Sequence, residues 1–396
     1  DLLQIKAPEL DPAHPIQFHP KTPWLEAAAE IKAKSRTSIP IMTVGGFTHP
    51  DLGEAALSEG KVDIIGMARS WISNPDWGNI VSEGRVDDLI PCIRCNKCHR
   101  SSEADPFMPG CSVNPIWGIE HKLPNLVKPP SRRKKVAIVG GGPAGMKAAL
   151  LLQERGHDVT LYEKEATLGG QLNVTTDVNF KWTLQDFKKY LINQVEKHHI
   201  DVRLNTAVNL EMLISGGYDE IIIAIGSEPL IPPIPGINGK NVMTALDAYS
   251  RYDELDKDVV IIGGGEIGVE TGMYLTQKNK NVTILEMRRL LAMDSTPIHY
   301  YSMLEKEWEA CRNFRGITDA TAVSVSDEDV TYIDKGDEKK KLKCGSVVVA
   351  VGMKSRSTEA MNLFVPGTKC YTIGDCNKVG NIMKLMRNAF GVASQI

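Results

Sequence analysis

The sequence predicts an α/β fold with parallel sheets, and two observations predict it. An apolar strand at 136–139 is followed by a glycine turn, a helix at 144–154 and a second strand at 159–163. The same succession returns at 259–262, 267–277 and 282–286, an internal repeat of about 120 residues. Each copy closes with a buried strand that ends in glycine, at 221–226 and 347–352. Two nucleotide-binding modules therefore follow one another.

Length and composition set the outer limits. A chain of 396 residues is long enough for two to three domains. With 24% charged and 42% hydrophobic residues, the chain has the composition of an ordinary folded protein. A formal net charge of −3 offers no overall attraction to nucleic acid or acidic membranes. No apolar run reaches the roughly 18 residues that a membrane span requires.

The first ninety residues predict a shorter α/β piece. A strand end at 2–5, a helix at 24–34, a strand at 39–44, a helix at 50–59 and a strand at 62–65 follow in order. Gly45 and Gly46 come directly after one strand, and Gly66 follows the next. The chain starts at Asp1, immediately before the predicted strand end at 2–5. We therefore expect an N-terminus that is truncated relative to the whole protein.

The first glycine motif follows the strand at 136–139. Gly140, Gly142 and Gly145 form G-x-G-x-x-G, and Glu163 closes the next strand about 20 residues later. The first glycine permits a tight turn, the second lets a pyrophosphate approach the backbone, and the third lets the helix pack on the strand. The phosphates then lie at the helix N-terminus and the glutamate accepts from ribose hydroxyls.

The second copy repeats every part of this arrangement. Gly263, Gly265 and Gly268 form the motif, and Glu286 ends the following strand. An acidic residue at that position favours a free ribose 2′-hydroxyl, and therefore NAD over NADP. The neighbouring pair 288–289, both arginine, keeps NADP open as the alternative.

Four of the eight cysteines crowd into one segment, as Cys92, Cys95, Cys98 and Cys111. Three thiolates within seven residues and a fourth beyond a loop supply the four ligands of a [4Fe–4S] cluster. A structural Zn²⁺ site, or disulfides and free thiols, are the alternatives, although zinc more often uses two separated C-x₂-C pairs. A position beside a nucleotide-binding module favours the cluster.

The two modules resemble the flavoproteins with two dinucleotide-binding domains, such as glutathione and thioredoxin reductases. In that family the first module holds FAD and the second NAD(P)H. Gly374 and Asp375 look like its second FAD motif, in which the aspartate accepts from the ribityl chain, and Gly170 and Gln171 look like the segment near the flavin. The resemblance also adds Gly226 to the FAD site and Gly352 to the NAD site. No C-x₄-C follows Glu163 and no C-x-x-C lies within either module, so electrons must leave the FAD by another route.

The whole chain resembles the old yellow enzyme relatives that carry an iron–sulfur and diflavin-type extension. That family includes 2,4-dienoyl-CoA reductase, 2-enoate reductase and trimethylamine dehydrogenase. The resemblance implies that the first segment is the C-terminal part of a (β/α)₈ flavin barrel. The phosphate of FMN would then be held by Gly45, Gly46, Gly66, Ala68 and Arg69.

The resemblance also implies the order of the domains. Residues 1–91 form the end of the FMN barrel, 92–130 the cluster segment and linker, 131–245 the first part of the FAD domain, 246–355 the NAD domain, and 356–396 the return of the FAD domain. A complete barrel needs ~250 residues, so the catalytic residues are expected upstream of residue 1. They belong either to the same polypeptide or to a partner chain.

The function that the resemblance implies is NADH-dependent reduction of an activated C=C bond in an enoate or enoyl-CoA. Electrons would pass from NADH to FAD, to the cluster, to FMN and to the substrate. An amine dehydrogenase of the trimethylamine dehydrogenase type and an electron-transfer subunit that serves a separate catalytic chain are the alternatives. A homo-oligomer is possible, and reduced thiols with an oxygen-sensitive cluster fit the cytoplasm.

Overall fold

The computed structural model describes residues 1–6, 15–35, 38–99, 110–175, 178–295 and 300–396. The chain divides into two compact units. One consists of Asp1–Asn173, Phe180–Gly226 and Arg356–Ile396, and the other of Val174–Asn179 and Ser227–Ser355. The predicted division into five segments, with boundaries after residues 91, 130, 245 and 355, remains a prediction. Among the described residues, no helix is both long and apolar enough to cross a membrane.

The N-terminal piece is a three-stranded parallel sheet with helices between its strands. Its elements are β1 (Leu3–Ile5), α1 (Leu25–Lys34), β2 (Ile41–Val44), α2 (Pro50–Ser58), β3 (Ile64–Gly66), α3 (Arg69–Ser73) and α4 (Trp77–Ser82). The strand order is β1-β2-β3. Ile41, Ala28 and Phe47 belong to the small core that these elements share. Repeated β-α units with a parallel sheet are what the sequence predicts for this segment.

The segment between this sheet and the first module has little regular structure. Its elements are 3₁₀ turns at Val86–Asp88, Lys97–His99 and Glu120–Lys122, and the short helix α5 (Leu123–Leu126). Its irregular backbone is fixed largely by side chains. Asn74 accepts a hydrogen bond from the Ile90 amide at 2.7 Å and donates one to the Ile90 carbonyl at 2.9 Å.

The first module is a five-stranded parallel sheet flanked by helices. Up to the crossing into the second unit it contains β4 (Lys135–Val139), α6 (Pro143–Glu154), β5 (Asp158–Tyr162), α7 (Leu172–Thr175), α8 (Trp182–Lys197), β6 (Asp201–Arg203), α9 (Leu210–Ser215) and β7 (Glu220–Ile223). A 3₁₀ turn at Asn179–Lys181 precedes α8. Alternate residues of β4 enter different cores: Val136 and Ile138 pack on one face of the sheet, and Ala137 and Val139 on the other. Burial on both faces explains why these strands are uninterrupted apolar runs.

The second unit repeats the parallel sheet and adds an antiparallel one. Its elements are β8 (Ser227–Pro229), β9 (Val242–Thr244), α10 (Ala245–Ser250), β10 (Asp258–Ile262), α11 (Glu266–Gln277), β11 (Asn281–Leu285), α12 (Tyr301–Glu309), β12 (Phe314–Ile317), β13 (Thr321–Val325), β14 (Asp329–Ile333), β15 (Lys339–Lys343), β16 (Ser346–Val349) and β17 (Met353–Ser355), with a 3₁₀ turn at Tyr252–Glu254. The parallel sheet has the order β12-β11-β10-β16-β9, and β13-β14-β15 is the antiparallel meander.

After the second unit the chain returns to the first. The returning elements are α13 (Ser357–Met361), β18 (Lys369–Thr372), a 3₁₀ turn at Gly374–Cys376 and α14 (Ile382–Ala393). Strand β18 pairs in parallel with β7 and completes the order β18-β7-β4-β5-β6. The prediction of two Rossmann-like modules in an α/β chain is therefore confirmed.

Candidate functional site

The first glycine turn connects β4 to α6. Gly140 has a φ of +115°, a value that side chains other than glycine rarely adopt, and a β-carbon there would overlap the Ala224 carbonyl oxygen. A β-carbon on Gly145 would overlap the carbonyl oxygen of Gly140. The first glycine therefore makes the turn, and the third brings the helix against it, in the roles that the spacing predicts.

The second glycine turn, between β10 and α11, has the same geometry. Gly263 has a φ of +102°, and a β-carbon there would overlap the Ala350 carbonyl oxygen. A β-carbon on Gly268 would overlap the Gly263 carbonyl oxygen. Both turns thus leave their backbone N–H groups at the N-terminus of a 12-residue helix, where a phosphate binds well.

The two strand-ending glutamates hold these turns in place. Glu163 Oε2 accepts from the Gly141 amide at 2.8 Å, and Glu286 Oε2 accepts from the Gly264 amide at 2.6 Å. Both carboxylates are buried, with 6% and 3% of the residue exposed. The sequence interpretation missed this loop-anchoring contact. Acceptance from ribose hydroxyls, the predicted role of Glu163 and Glu286, remains a prediction.

The middle glycines of the two turns have different surroundings. A β-carbon on Gly142 would meet only the Gly170 α-carbon, 3.9 Å away. A β-carbon on Gly265 would meet both carboxylate oxygens of Asp294, at 3.3 and 3.4 Å. One face of the first turn is therefore open, and the same face of the second turn carries a carboxylate.

Arg288, one of the two arginines that keep NADP open, is paired with carboxylates at the second turn. Arg288 Nε lies 3.0 Å from Glu286 Oε1, and Arg288 Nη2 lies 3.6 Å from Asp294 Oδ1. The hydrogen bond to Glu286 raises the pKa of the Arg288 guanidinium. Arg288 is therefore paired with two carboxylates, while the preference for NAD over NADP remains a prediction.

The C-terminal motif lies beside the first glycine turn. Gly374 has a φ of +70°, and a β-carbon there would lie 3.0 Å from Ala144 Cβ at the start of α6. The Gly374 amide donates to Asn388 Oδ1 at 2.9 Å, and Asp375 Oδ1 accepts from the Gly380 amide at 2.9 Å. The structure therefore brings Gly374 and Asp375 to the first module. Asn388 is a supporting residue that no sequence motif marks.

The remaining predicted residues of the two modules lie at the same sheet edges. The Gly169 amide donates to the Gly141 carbonyl at 3.0 Å, and this contact places Gly170 and Gln171 beside the turn. Gly226 and Gly352 have φ values of +77° and +115°, with no atom within 4 Å of a built β-carbon. Each therefore leaves an open surface after its strand.

The four clustered cysteines line one cavity. Cys92, Cys95, Cys98 and Cys111 surround it, and Arg69 also contributes to its wall. Burial, and secondarily the neighbouring thiols, raises the pKa of Cys98 and of Cys111 to about 12. Burial also raises the pKa of Cys95. Four thiols around one cavity, with Cys111 buried and the other three partly buried, ionise together only when a cationic centre compensates their charge. They are the donor set that a metal cluster requires.

A [4Fe–4S] cluster and a structural zinc ion would both take four thiolates from this cavity. Within the described ranges, no group of three or more Cys, His, Asp or Glu side chains has the convergence of a formed metal site. The preference for the cluster remains a prediction from the cysteine spacing.

Polar groups next to the cavity hold the cysteine loops. The Cys95 thiol lies 3.0 Å from Ser112 Oγ, and the Asn114 amide donates to Cys111 Sγ at 3.4 Å. Asn114 Nδ2 in turn donates to the Ile72 carbonyl at 2.9 Å. Hydrogen bonds to cluster sulfurs tune reduction potentials, and sequence spacing alone did not identify Ser112 or Asn114.

Arg94 is another residue that the sequence interpretation missed. It is fully buried, although it lies between two cluster cysteines in sequence, and it has a φ of +53°. Its guanidinium donates to the carbonyls of Pro20 at 2.9 Å and Gly46 at 3.1 Å, and stacks over the Trp182 ring at 4.8 Å. Burial, and then the nearby positive charge of Arg69, lowers the pKa of Arg94 to about 10, so the group stays cationic at neutral pH.

The predicted FMN-phosphate residues lie at one edge of the N-terminal sheet. Val44 and Gly66, the last residues of β2 and β3, are paired with each other. The turn at 45–46 and the segment that leads into α3 therefore begin side by side at this edge. Ala68 is the N-cap of α3 and Arg69 its first residue. Arg69 Nη1 donates to the Pro15 carbonyl at 2.8 Å and to Asn96 Oδ1 at 2.6 Å. The sheet edge and the cysteine loop thus share this side chain, while its contact with phosphate remains a prediction.

Packing requires glycine at positions 45 and 46, in addition to the predicted role of Gly45 and Gly46 in binding the FMN phosphate. Their φ values are +116° and +82°. A β-carbon on Gly45 would overlap the Trp24 ring, and one on Gly46 would overlap the Lys21 carbonyl oxygen. Glycine is therefore required at both positions whether or not a phosphate binds there.

Comparison with known proteins adds two family matches. Residues 134–391 match the family described as pyridine nucleotide-disulphide oxidoreductase. Residues 8–88 match the family described as NADH:flavin oxidoreductase / NADH oxidase. The border between the two matches falls at the cysteine segment.

Individual proteins are similar over nearly the whole chain. An NADH oxidase of Thermoanaerobacter brockii is 33% identical over 379 residues, which are 94% of this chain and 58% of that protein. A bilirubin reductase of Mediterraneibacter gnavus is 32% identical over 350 residues, 87% of this chain and 53% of that protein. A solved structure of 2-naphthoyl-CoA reductase with 2-naphthoyl-CoA is 30% identical with a TM-score of 0.90, covering 96% of this chain and 57% of that one. The chain thus spans a little over half the length of these relatives.

Proposed function

The chain belongs to the pyridine nucleotide-disulphide oxidoreductase family, and its N-terminal residues match the NADH:flavin oxidoreductase family. We therefore propose that the chain is part of an NADH-dependent enzyme that reduces an activated C=C bond. The resemblance to the flavin-barrel family with an iron–sulfur and diflavin-type extension is confirmed. The two families and their relatives imply FAD, FMN, NAD(H) and a [4Fe–4S] cluster as cofactors, as predicted.

The single observation that carries the proposal is the cavity formed by the four cysteine thiols. It lies in the same compact unit as the first glycine turn and the N-terminal sheet. When bound, the flavins and the cluster supply a relay in which the two electrons of NADH pass one at a time through the cluster and are delivered together to the substrate. The cysteine segment is the part of this chain that links the two flavin sites.

The chain's own residues supply binding and orientation in this proposal. Backbone N–H groups after Gly142 and Gly265 bind the two pyrophosphates. Glu163 and Glu286 fix those turns through the Gly141 and Gly264 amides. The cysteine thiols lose their protons as the cluster assembles, because only the thiolate is a ligand.

We propose an α,β-unsaturated acid or acyl-CoA as the substrate class. Two of the similar proteins are named as reductases, and one of these is solved with the acyl-CoA 2-naphthoyl-CoA. The proton donor to that substrate is proposed to lie in the remainder of the barrel, on the same polypeptide or on a partner chain. A cytoplasmic setting and a homo-oligomer belong to the same proposal.

The second candidate is an electron-transfer subunit that serves a separate catalytic chain. The cysteine cavity is compatible with it as well, because an iron–sulfur cluster carries single electrons between partners. An amine dehydrogenase of the trimethylamine dehydrogenase type is less well supported. The second module retains its glycine turn and Glu286, and an amine oxidiser would not need nicotinamide.

The decisive experiment separates the cluster from the flavin. In Cys95→Ala, we expect the broad visible iron–sulfur absorption and the bound iron to disappear, while NADH still reduces the FAD under anaerobic conditions. The loss follows from removing one of four ligands. Cys311→Ser is the matched control, because Cys311 lies in the second unit, outside the cavity, and should leave iron content unchanged.

Two outcomes would contradict the proposal. Unchanged iron content in Cys95→Ala would remove the cluster assignment. Failure of NADH to reduce the flavin of the unmodified chain would remove the assignment of the second module. A screen of enoates and enoyl-CoAs with the full-length protein would then separate a reductase from an electron-transfer subunit.

A further inference from the structure

The two modules of this chain can be compared position by position, because each has a leucine that packs on its glycine turn. Leu168 packs against Gly141, and Leu291 packs against Gly264. The residue after each leucine donates its amide to the turn: Gly169 to the Gly141 carbonyl at 3.0 Å, and Ala292 to the Gly264 carbonyl at 2.7 Å. The same backbone segment therefore lies over both turns.

The third residue after each leucine differs in charge. In the first module it is Gln171, which is neutral, and in the second it is Asp294. Asp294 Oδ1 accepts a hydrogen bond from the Glu266 amide at 3.0 Å, at the first residue of α11. Both oxygens of this carboxylate also lie 3.3 to 3.4 Å from the β-carbon position of Gly265.

The Asp294 carboxylate thus lies where a dinucleotide pyrophosphate would lie. The N-terminus of an α-helix in a glycine turn attracts one anion through its free N–H groups. The first turn of α11 also contains Glu266, whereas the first turn of α6 contains no acidic residue. Only Arg288, with Nη2 3.6 Å from Asp294 Oδ1, offsets this negative charge among the described contacts.

We propose that Asp294 competes with the pyrophosphate of NAD(H) for the second glycine turn and thereby sets a weak affinity for nucleotide at this module. The carboxylate must leave the Glu266 amide before the nucleotide binds, and it returns when the nucleotide leaves. Among the described residues the first turn has no such competitor, which suits a cofactor that stays bound. This inference rests on the proposed function, because it takes the second module to be the NAD(H) site.

The test is a titration of the full-length, FAD-loaded protein with NAD⁺, which binds without reducing the flavin. Asp294→Asn removes the charge and keeps the shape, and we expect it to lower the dissociation constant about two- to fivefold, the range for one charge at a helix terminus. Asp337→Asn removes an equal charge from the turn between β14 and β15, and it should leave the dissociation constant unchanged.

Two further ligands identify the part of NAD⁺ that competes. ADP-ribose contains the pyrophosphate and should show the same fold-change as NAD⁺. Adenosine lacks the pyrophosphate, and its affinity should not respond to the Asp294→Asn change. Asp294→Gln, which gives the second module the residue of the first, provides a second variant if the asparagine protein does not fold.

The outcomes distinguish the competition by Asp294 from the assignment of NAD(H) to the second module. An unchanged or higher dissociation constant for NAD⁺ in both variants would overturn the competition, while the NAD(H) assignment would stand. A tightening of adenosine binding equal to that of NAD⁺ would also overturn it. If the unmodified protein binds neither NAD⁺ nor ADP-ribose, the proposed function of the second module fails and the inference fails with it.

Discussion

At the scale of single residues, Arg94 illustrates how the cluster loop is attached to the N-terminal sheet. Its guanidinium donates to carbonyls contributed by residues 19–21 and by Gly46. The part of the chain that the structure describes places no carboxylate in an ion pair with it. Its Nη1 and Nη2 make all of these hydrogen bonds, whereas its buried Nε has no partner among the described residues. Burying a cation is costly, and the carbonyls together with the Trp182 ring offset part of that cost, so the geometry of the guanidinium is closely constrained.

We expect Arg94→Met to lower the free energy of unfolding of the first unit by about 3 kcal/mol, because the carbonyls of residues 19–21 and of Gly46 lose the donor of their partly buried hydrogen bonds. Arg94→Lys keeps the charge but not the planar fork, and should recover part of that loss. Urea unfolding, monitored by tryptophan fluorescence, measures the free energy of unfolding of both variants. A methionine variant as stable as the unmodified protein would show that water replaces the guanidinium at no cost.

His157 gives the first unit a dependence on pH. It is 2% exposed, and its Nδ1 accepts from the Lys134 amide at 3.1 Å. Burial, followed by the positive charges of Arg155 and Lys134, lowers the pKa of His157 in the folded state. The unfolded chain therefore binds the proton more readily, and this contribution to stability is lost as pH falls below about 6.5 toward the folded-state pKa.

In His157→Asn, the carboxamide oxygen can still accept from the Lys134 amide but does not titrate in this range. We expect the fall in thermal midpoint between pH 7.5 and pH 5.5 to be smaller in this variant than in the unmodified protein. Thermal unfolding at both pH values, measured in buffers of equal ionic strength, checks it. Parallel curves for the two proteins would assign the pH dependence to other groups.

At the scale of elements, the two strand–turn–helix units are the most predictable part of the molecule. Their strands are buried on both faces, and their glycines are required by backbone geometry, so both signals are local in sequence. The contacts of Arg94 could not be predicted in this way, because its partners lie 48 to 75 residues away along the chain. Asn388 lies only 14 residues from its partner Gly374, but no motif marks it. Asp294 had a usable signal, since alignment of the two copies places it opposite Gln171.

The paired turns allow each module to serve as the control for the other. Gly145→Ala places a methyl group against the Gly140 carbonyl, and Gly268→Ala does the same against the Gly263 carbonyl. We expect the first change to reduce bound FAD at least about tenfold, and the second to weaken NAD⁺ binding to a similar extent while FAD is retained, because helix and turn must separate. Flavin absorbance and NAD⁺ titration measure these effects. Loss of FAD in both variants would mean that the modules do not act separately.

At the scale of the whole molecule, the chain consists of two units with separate cores. Val136 and Leu161 belong to a core of the first unit, and Val260 and Val347 to a core of the second. The sequence predicted the return of the chain to the first module, because the Gly374–Asp375 motif follows the second copy. It could not predict where each unit ends, since strands β8 and β17 are short and carry little apolar signal.

Separate cores predict two calorimetric unfolding transitions. NAD⁺ at one hundred times its dissociation constant should stabilise only the transition of the second unit, by about 2.7 kcal/mol, because a ligand stabilises the state that binds it. Added FAD should raise only the other transition. Differential scanning calorimetry with each ligand in turn tests this, and a single transition that moves with both ligands would contradict it.

The position of β18 also has a consequence for the order in which the protein is made. The first sheet needs β18 beside β7, and residues 369–372 are synthesised only after the entire second unit, 227–355. Domains generally fold as units while the chain emerges from the ribosome. The module that is encoded earlier therefore waits, with one edge of its sheet unpaired, until the module encoded later has been translated. Capture of FAD is accordingly a late event, and the nascent chain is most exposed to chaperones and to aggregation during that interval.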